Sequence, residues 1–346
     1  MSLKQLPLQY PTPVMEAASV AELPTGDGWI YEPKWDGFRC LAWKGDDEVQ
    51  LQSKAEKPLG RYFPEIEEAI GALKAERCVI DGELVVPDGN QISFDQLLQR
   101  IHPAASRVQR LAKEAPAVYV IFDLLVDEQG NAVHELPLTE RRVALEKFFK
   151  RYCENEPRLC LSPASPDPAA ARKWLKKSGN ALDGIICKRR EQPYRGGERD
   201  GMSKVKFMKT ADCVVGGFRY SSKGKGIGSL LLGLYDSDGL LQHVGHCTVS
   251  SRMSAKNLPE ALETLKEAPG FTGNAPGGPS RWSQGRDTSW EPVRPELIIE
   301  VEFDHVTGGR FRHGTRFLRW RPDKRPDQCT MEQILMKKGK PLALLK

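Results

Sequence analysis

The octapeptide EPKWDGFR, Glu32 to Arg39, sets a lysine beside an acid, a glycine and an arginine in an apolar, strand-like setting. A salt-bridged surface turn accounts for such a cluster. So does a lysine whose amine attacks an electrophile. Lys-x-Asp-Gly is short enough to arise by chance, and the rest of the chain has to choose between the two.

At 346 residues the chain is long enough for two domains, each burying its own core. Its 40% hydrophobic and 28% charged residues are ordinary for a globular protein. No window approaches about eighteen uninterrupted apolar residues, which speaks against a membrane span. The opening MSLKQLPLQYPTPVMEAASV has neither a long apolar core nor a small-residue cleavage site, so no signal peptide is read there. Eight cysteines are scattered from Cys40 to Cys329 with no Cys-x-x-Cys pair, against a zinc knuckle or ribbon. Several sit in apolar runs, where a free thiol behaves as a small core hydrophobe, and a reducing cytoplasm fits them best.

Charge is unevenly spread. From Val306 to Lys346 there are eleven Lys or Arg against three acids, on a chain of net charge +5, so the remainder is net −3. A basic end on a balanced chain points to a polyanionic partner, polyphosphate or nucleic acid backbone.

From about Gly28 to Lys209, β-type runs alternate with helical patterns. CVIDGELVV, VYVIFDLLV and LDGIICKR read as strands. FPEIEEAIGALK, SFDQLLQRI and LTERRVALEKFFKRY have helical spacing, the last with Thr139 as N-cap. DPAAARKWLKKSG has Asp167 as cap, Pro168 at the first helical position and Gly179 as stop. After Lys209, CVVGGFRY, SLLLGLYDSDGLLQHVGHCTV and ELIIEVEFDHVT read as strands, with DSDG as a hairpin turn. AKNLPEALETLKEA reads as one helix, and GFTGNAPGGPSRWSQGRDTSW as a loop. Several strands and one helix fit a small β-barrel of the oligonucleotide-binding (OB) type. Gly224-x-Gly226-x-Gly228 precedes a strand instead of opening a helix, so it is a barrel loop and not a dinucleotide fingerprint. His243, His246, His305 and His313 lack metal-ligand spacing.

Short motifs then follow one another in order: Lys34-Trp-Asp36-Gly37-Phe-Arg39, Asp81-Gly82-Glu83-Leu84, Phe122-Asp123-Leu124, Asp183-Gly184-Ile-Ile-Cys-Lys188 and Lys204-Val-Lys206. Arg316-Phe-Leu-Arg319-Trp-Arg321-Pro-Asp323-Lys324 closes the series. Each is common alone; the ordered set is not. It resembles the covalent nucleotidyltransferase superfamily, specifically ATP-dependent DNA ligases of the compact bacterial kind, ligase C and the ligase module of ligase D. The likeness runs from roughly Pro13 to Pro326. It implies an α+β chain: an ATP-grasp-like nucleotidyltransferase (adenylation) domain over 1–209, then a small OB-fold β-barrel domain over 210–346.

The resemblance makes Lys34 the nucleophile that attacks the α-phosphorus of ATP and carries AMP as a phosphoramidate. A free lysine, with a pKa of about 10.4, is protonated at neutral pH, and neighbouring cations lower that value. Lys188, Lys204 and Lys206 stand where the family grips the α-phosphate, and they neutralise the triphosphate under attack. The likeness places Glu32 at the adenine amino group, Arg39 near the ribose and nick phosphate, and Phe122 against the adenine face. Asp36 and Gly37 shape the turn. Glu83 is the ribose- and metal-side carboxylate, and Asp183, standing for the usual glutamate, is a second metal ligand. Lys54 stands where the family has arginine, a point charge in place of a fork, so its contact is either weaker or shared with Arg61. Arg316, Arg319, Arg321 and Lys324 belong to the motif that swings onto the β,γ-phosphates, which implies a mobile barrel.

Implied with these are ATP, Mg²⁺ or Mn²⁺, and nicked double-stranded DNA as the partner, with DNA-repair proteins alongside. A monomer with no membrane association, in a bacterial cytoplasm beside the nucleoid, completes the expectation. An RNA ligase, an mRNA-capping-type guanylyltransferase and a non-catalytic DNA-binding module are the rival readings.

Overall fold

The computed structural model describes residues 3–45, 48–178, 182–221, 226–253, 258–277, 289–335 and 339–345. The chain forms two compact units, Met1–Lys206 with Lys337–Lys346, and Phe207–Met336.

In the first unit, strands β1 (Trp29–Lys34), β2 (Phe38–Lys44) and β3 (Val49–Ser53) precede helix α1 (Pro64–Gly71). Strand β4 (Cys78–Val85), helices α2 (Phe94–Gln99) and α3 (Ala105–Glu114), and strand β5 (Val118–Val126) follow. Helix α4 (Leu138–Phe148), strand β6 (Leu159–Leu161), helix α5 (Pro168–Ser178), and strands β7 (Gly184–Arg189) and β8 (Met202–Lys206) complete the order.

Two sheets result. One has the order β3-β2-β4-β5-β6; the other runs β8-β7-β1, with a short strand at Ala18–Ser19 beside β8. Strand β5 reads as a continuous apolar run because both of its faces are covered. Ile66, Ile70, Leu97, Leu145 and Phe148 of the helices pack on one side of the first sheet. Leu41, Trp43, Val79 and Leu125 form the core on the other. The second sheet rests on α5 through Tyr31, Ile185, Cys187 and Ala171.

Helix starts follow local chemistry. Asp167 accepts the Ala169 N–H at 2.8 Å, the cap expected of it. Ser93 accepts from Gln96 at the start of α2. Thr139 is not a cap: α4 begins at Leu138, with Pro137 in the cap position, so Thr139 lies inside the helix. Gly179, expected to stop α5, and Gly224 of the glycine-rich loop lie outside the described residues. All eight cysteines are free, and only Cys160 is not fully buried.

The second unit holds β9 (Lys209–Tyr220), β10 (Ile227–Tyr235), β11 (Leu241–Thr248), helix α6 (Leu258–Thr264), β12 (Ile298–Phe303) and β13 (Arg316–Trp320). Asp236 accepts from the Asp238 and Leu240 N–H groups, making the expected hairpin turn between β10 and β11. Sheet order is β11-β10-β9-β12-β13. Among the described residues, the expected barrel is met as a sheet whose ends are joined at a single bridge, from Cys247 on β11 to Thr315 just before β13, and not as a continuous closed ladder. Register shifts on β9 and β12 interrupt the pairing on the way round.

Residues 337–346, expected in the second domain, group with the first unit. Leu344 and Leu345 pack against the cluster of Trp35, Val85, Val120 and Leu182, and Lys177 Nζ donates to the Ala343 carbonyl. Apolar burial at the very end of the chain outweighs sequence proximity. No helix among the described residues is long and apolar enough to cross a membrane.

Candidate active site

The second sheet of the first unit sets the site out in rows. Ladder register aligns Lys34 with Gly184 and Lys206, Glu32 with Ile186 and Lys204, and Ile30 with Lys188 and Met202. Alternation along a strand puts residues two apart on one face. The face bearing Glu32, Lys34, Ile186, Lys188 and Lys204 therefore looks into a cleft, while Ile185 and Cys187 go to the core. Gly184 has φ +153°, and a Cβ there would lie 2.0 Å from the Val205 carbonyl oxygen, so only glycine lets the three strands meet beside Lys34.

The opposite wall comes from the first sheet. Arg39 on β2 pairs with Glu83 on β4, and Phe122 projects from β5. Gly37 turns the chain between β1 and β2, where a Cβ would stand 2.1 Å from the Leu84 carbonyl oxygen. The cleft encloses about 740 Å³, partly continuous with solvent, and is lined by Glu32, Lys34, Arg39, Lys54, Glu83, Phe122, Lys188 and Lys204.

Its electrostatics are tightly paired. The Lys34 amine is bridged to the Asp183 carboxylate. Lys188 pairs with Glu32 at 2.9 Å and Asp123 at 3.8 Å. Arg39 makes a two-point contact with Asp81, which also accepts the Tyr194 hydroxyl at 2.7 Å. Arg141 forks onto Asp123 at 2.9 and 3.1 Å. Burial pushes Asp123 up, but Arg141 and Lys188 outweigh it and hold the carboxyl below its usual range. Glu83 is pushed up to about 7 by burial, against the pull of Lys34 and Arg39. Burial, then the Lys34 and Lys206 charges, draw Lys204 below the usual lysine range.

Two features suit a purine. Glu32 Oε1 is buried with no hydrogen-bond partner among the described residues, an acceptor waiting for an N–H donor. The Phe122 ring, 8% exposed, borders the cleft with the Arg39 and Lys188 charges 4.5 and 4.9 Å from its centroid.

Of the residues singled out in the sequence, eight line this cleft. Asp183 reaches it through Lys34, and Lys206 stands one strand beyond Gly184 in the Lys34 row. Lys54 is anchored by Glu16 at 3.0 Å. The Arg61 guanidinium, expected to share in the Lys54 contact, donates to the Pro103 carbonyl and leans on Tyr62. Asp81, Asp123, Arg141 and Tyr194, which hold the charged lining in place, received no role from the sequence. The two aspartates sat inside quoted motifs; Arg141 and Tyr194 carried no local signal.

The terminal basic motif lies in the second unit, each cation on a carboxylate. Arg316 meets Glu302 at 2.6 Å, Arg319 meets Glu300 at 2.6 Å, and Arg321 is held by Asp323 and Asp212. Lys324 meets Asp212 at 2.6 Å.

Comparison with known proteins gives the family. Residues 14–206 match the family model described as ATP dependent DNA ligase domain, and 223–324 match the ATP dependent DNA ligase C terminal region. The chain is 43% identical to DNA ligase C1 of Mycolicibacterium smegmatis over 342 residues, 95% of each chain. It is 29% identical over 314 residues to the multifunctional non-homologous end joining DNA repair protein LigD of Mycobacterium tuberculosis, covering 88% of this chain and 37% of that one. A solved structure described as a minimal-scaffold Lig E DNA ligase superposes with TM-score 0.51 at 17% identity, over 89% of this chain and 100% of the other, a likeness of fold. With both of its characteristic regions present in order, the chain belongs to the ATP-dependent DNA ligase family.

Proposed function

We propose that this chain seals nicks in duplex DNA with ATP, through an adenylate carried on Lys34. One observation carries the reading: the Lys34 amine opens onto the same cleft as the unpartnered Glu32 Oε1 and the Phe122 ring. Adenine seated on Phe122 and Ile186 gives its amino group to Glu32. The α-phosphate then lies toward the Lys34, Lys188 and Lys204 end.

Lys34 Nζ, having released its proton, forms a P–N bond to the α-phosphorus as the bond to pyrophosphate breaks. Lys188 and Lys204 offset the charge on the phosphate oxygens. AMP then passes to the 5′-phosphate of the nick, with Arg39 placed for the ribose and that phosphate. Attack by the 3′-hydroxyl on the 5′-phosphate expels AMP and closes the strand. Glu83 and Asp183 are hard oxygen donors that suit Mg²⁺ or Mn²⁺, and the desolvated Glu83 is a carboxylate whose charge a cation would offset. Such a cation supplies further neutralisation of phosphate charge when bound. Arg316, Arg319, Arg321 and Lys324 are proposed to meet the β- and γ-phosphates.

A role in DNA repair, as a monomer in the bacterial cytoplasm beside the nucleoid, belongs to the same proposal and draws its support from the end-joining relative. The test is closure of a labelled nicked duplex with ATP, GTP or NAD supplied separately. Closure with ATP alone supports it. Activity confined to GTP and RNA ends would overturn it in favour of a capping-type enzyme.

A further inference from the structure

Among the carboxylates of the second unit, Asp212 stands apart. It lies on β9 and is 8% exposed, whereas the Asp323 side chain is 61% exposed. Its two oxygens are divided between two cations: Oδ1 accepts from Arg321 Nη1 at 2.7 Å and Oδ2 from Lys324 Nζ at 2.6 Å. The Asp212 backbone is itself clamped. Its N–H donates to Gln333 Oε1 at 2.9 Å, and its carbonyl accepts from Gln333 Nε2 at 3.0 Å. Arg321 and Lys324 ride one turn, closed by the Lys324 N–H on the Arg321 carbonyl at 3.2 Å.

Two like charges three residues apart repel, and each sits on a long, rotamer-rich side chain. A buried acid between them cancels the repulsion and fixes their spacing before any ligand arrives. The exposed Asp323 takes the other edge of the Arg321 guanidinium, through Nε and Nη2. Water reaches that contact, so it exchanges readily. The buried contact to Asp212 does not.

We propose that Asp212 is a positioning residue for lysine adenylylation: it holds Arg321 and Lys324 as a fixed pair for the leaving pyrophosphate, while Asp323 is the partner that pyrophosphate displaces. The inference rests on the reading of Arg321 and Lys324 as phosphate-binding groups. It assigns Asp212 to the first step alone, because only that step has a pyrophosphate.

The test compares two rates in the full-length protein: transfer of label from ATP to Lys34, and closure of a nick already carrying 5′-adenylate. Asp212→Asn is expected to slow the first by about 30-fold, the scale of one charge-assisted contact, and to leave the second unchanged. It is also expected to raise the pyrophosphate concentration needed to strip AMP from the adenylylated enzyme. Asp212→Glu is expected to restore part of the first rate. Gln333→Ala, which leaves every charge in place, is expected to slow the same step more mildly, and it serves if Asp212→Asn melts early. Native adenylylation in Asp212→Asn overturns the proposal, as does equal loss of both rates in the folded variants. Arg321→Ala separates the causes. If it too adenylylates normally, the phosphate-binding reading fails; if it alone is slow, only the role of Asp212 fails.

Discussion

The Lys34 amine is bridged to the Asp183 carboxylate, and the Asp183 N–H donates to the Lys34 carbonyl at 3.1 Å. Lysine and acid are thus tied by backbone and side chain together. Lys34→Ala is expected to leave no AMP adduct, read by intact-protein mass after incubation with ATP, with an unchanged melting temperature. Asp183→Asn is expected to slow adduct formation by about 100-fold. Native-rate labelling of the asparagine variant would mean that the pair is only a resting contact.

Gly184 faces Lys34 across the ladder, with no room for a Cβ against the Val205 carbonyl. Gly184→Ala is expected to cost about 2 kcal/mol or more, through strain at a positive φ and the forced shift of β8. Because that shift moves the strand that bears Lys204 and Lys206, adenylylation should fall further than stability alone dictates. Thermal melts paired with single-turnover labelling check both parts.

Glu32 uses one oxygen on Lys188, and the other has no partner among the described residues. Glu32→Gln replaces an acceptor by a mixed group and weakens the hold on Lys188. The half-saturating ATP concentration is expected to rise by about 10-fold or more, and the preference for ATP over GTP to shrink. An unchanged ATP-to-GTP ratio would remove Glu32 from base selection.

In the second unit, Arg310 Nη2 donates to His243 Nδ1 at 2.8 Å. Burial, then the charges of Arg310 and Arg219, depress this imidazole to about 3, with His246 adding in the same direction. The unfolded chain, with a histidine pKa near 6.5, takes up the proton first as pH falls, so its share of stability is full above about 6.5 and drains away toward 3. The slope is about 1.4 kcal/mol per pH unit inside that window. Melts from pH 7.5 to 4.5 should show the loss, and His243→Phe should flatten it. A variant with the wild-type slope would place the acid sensitivity elsewhere.

The lining of the candidate site was legible because its residues sit on strands. Glu32 and Lys34 are two apart on β1, as are Ile186 and Lys188 on β7, so period-2 alternation alone puts each pair on one face. What holds that face was not legible. Asp81 meets Tyr194 across 113 residues, and Asp123 meets Arg141 across 18, contacts made only by the folded sheets. Helix α3 escaped notice since a single residue, Val108, is buried and no side chain caps its start. The Glu16 anchor at Lys54 is likewise tertiary. The basic tail read as uncompensated in the sequence. Its partners lie outside it: Glu300 and Glu302 on β12, 19 and 14 residues before Arg319 and Arg316, and Asp212 on β9, 109 residues before Arg321.

Residues 339–345 return to the unit that the chain left at Lys206. The second unit is therefore spliced into the first, like a link fastened at both ends, and not hung from it by one thread. The returning segment ends on Leu344 and Leu345, in the apolar patch of Trp35, the neighbour of Lys34 in sequence. The return is thus anchored one residue from Lys34, within the first unit.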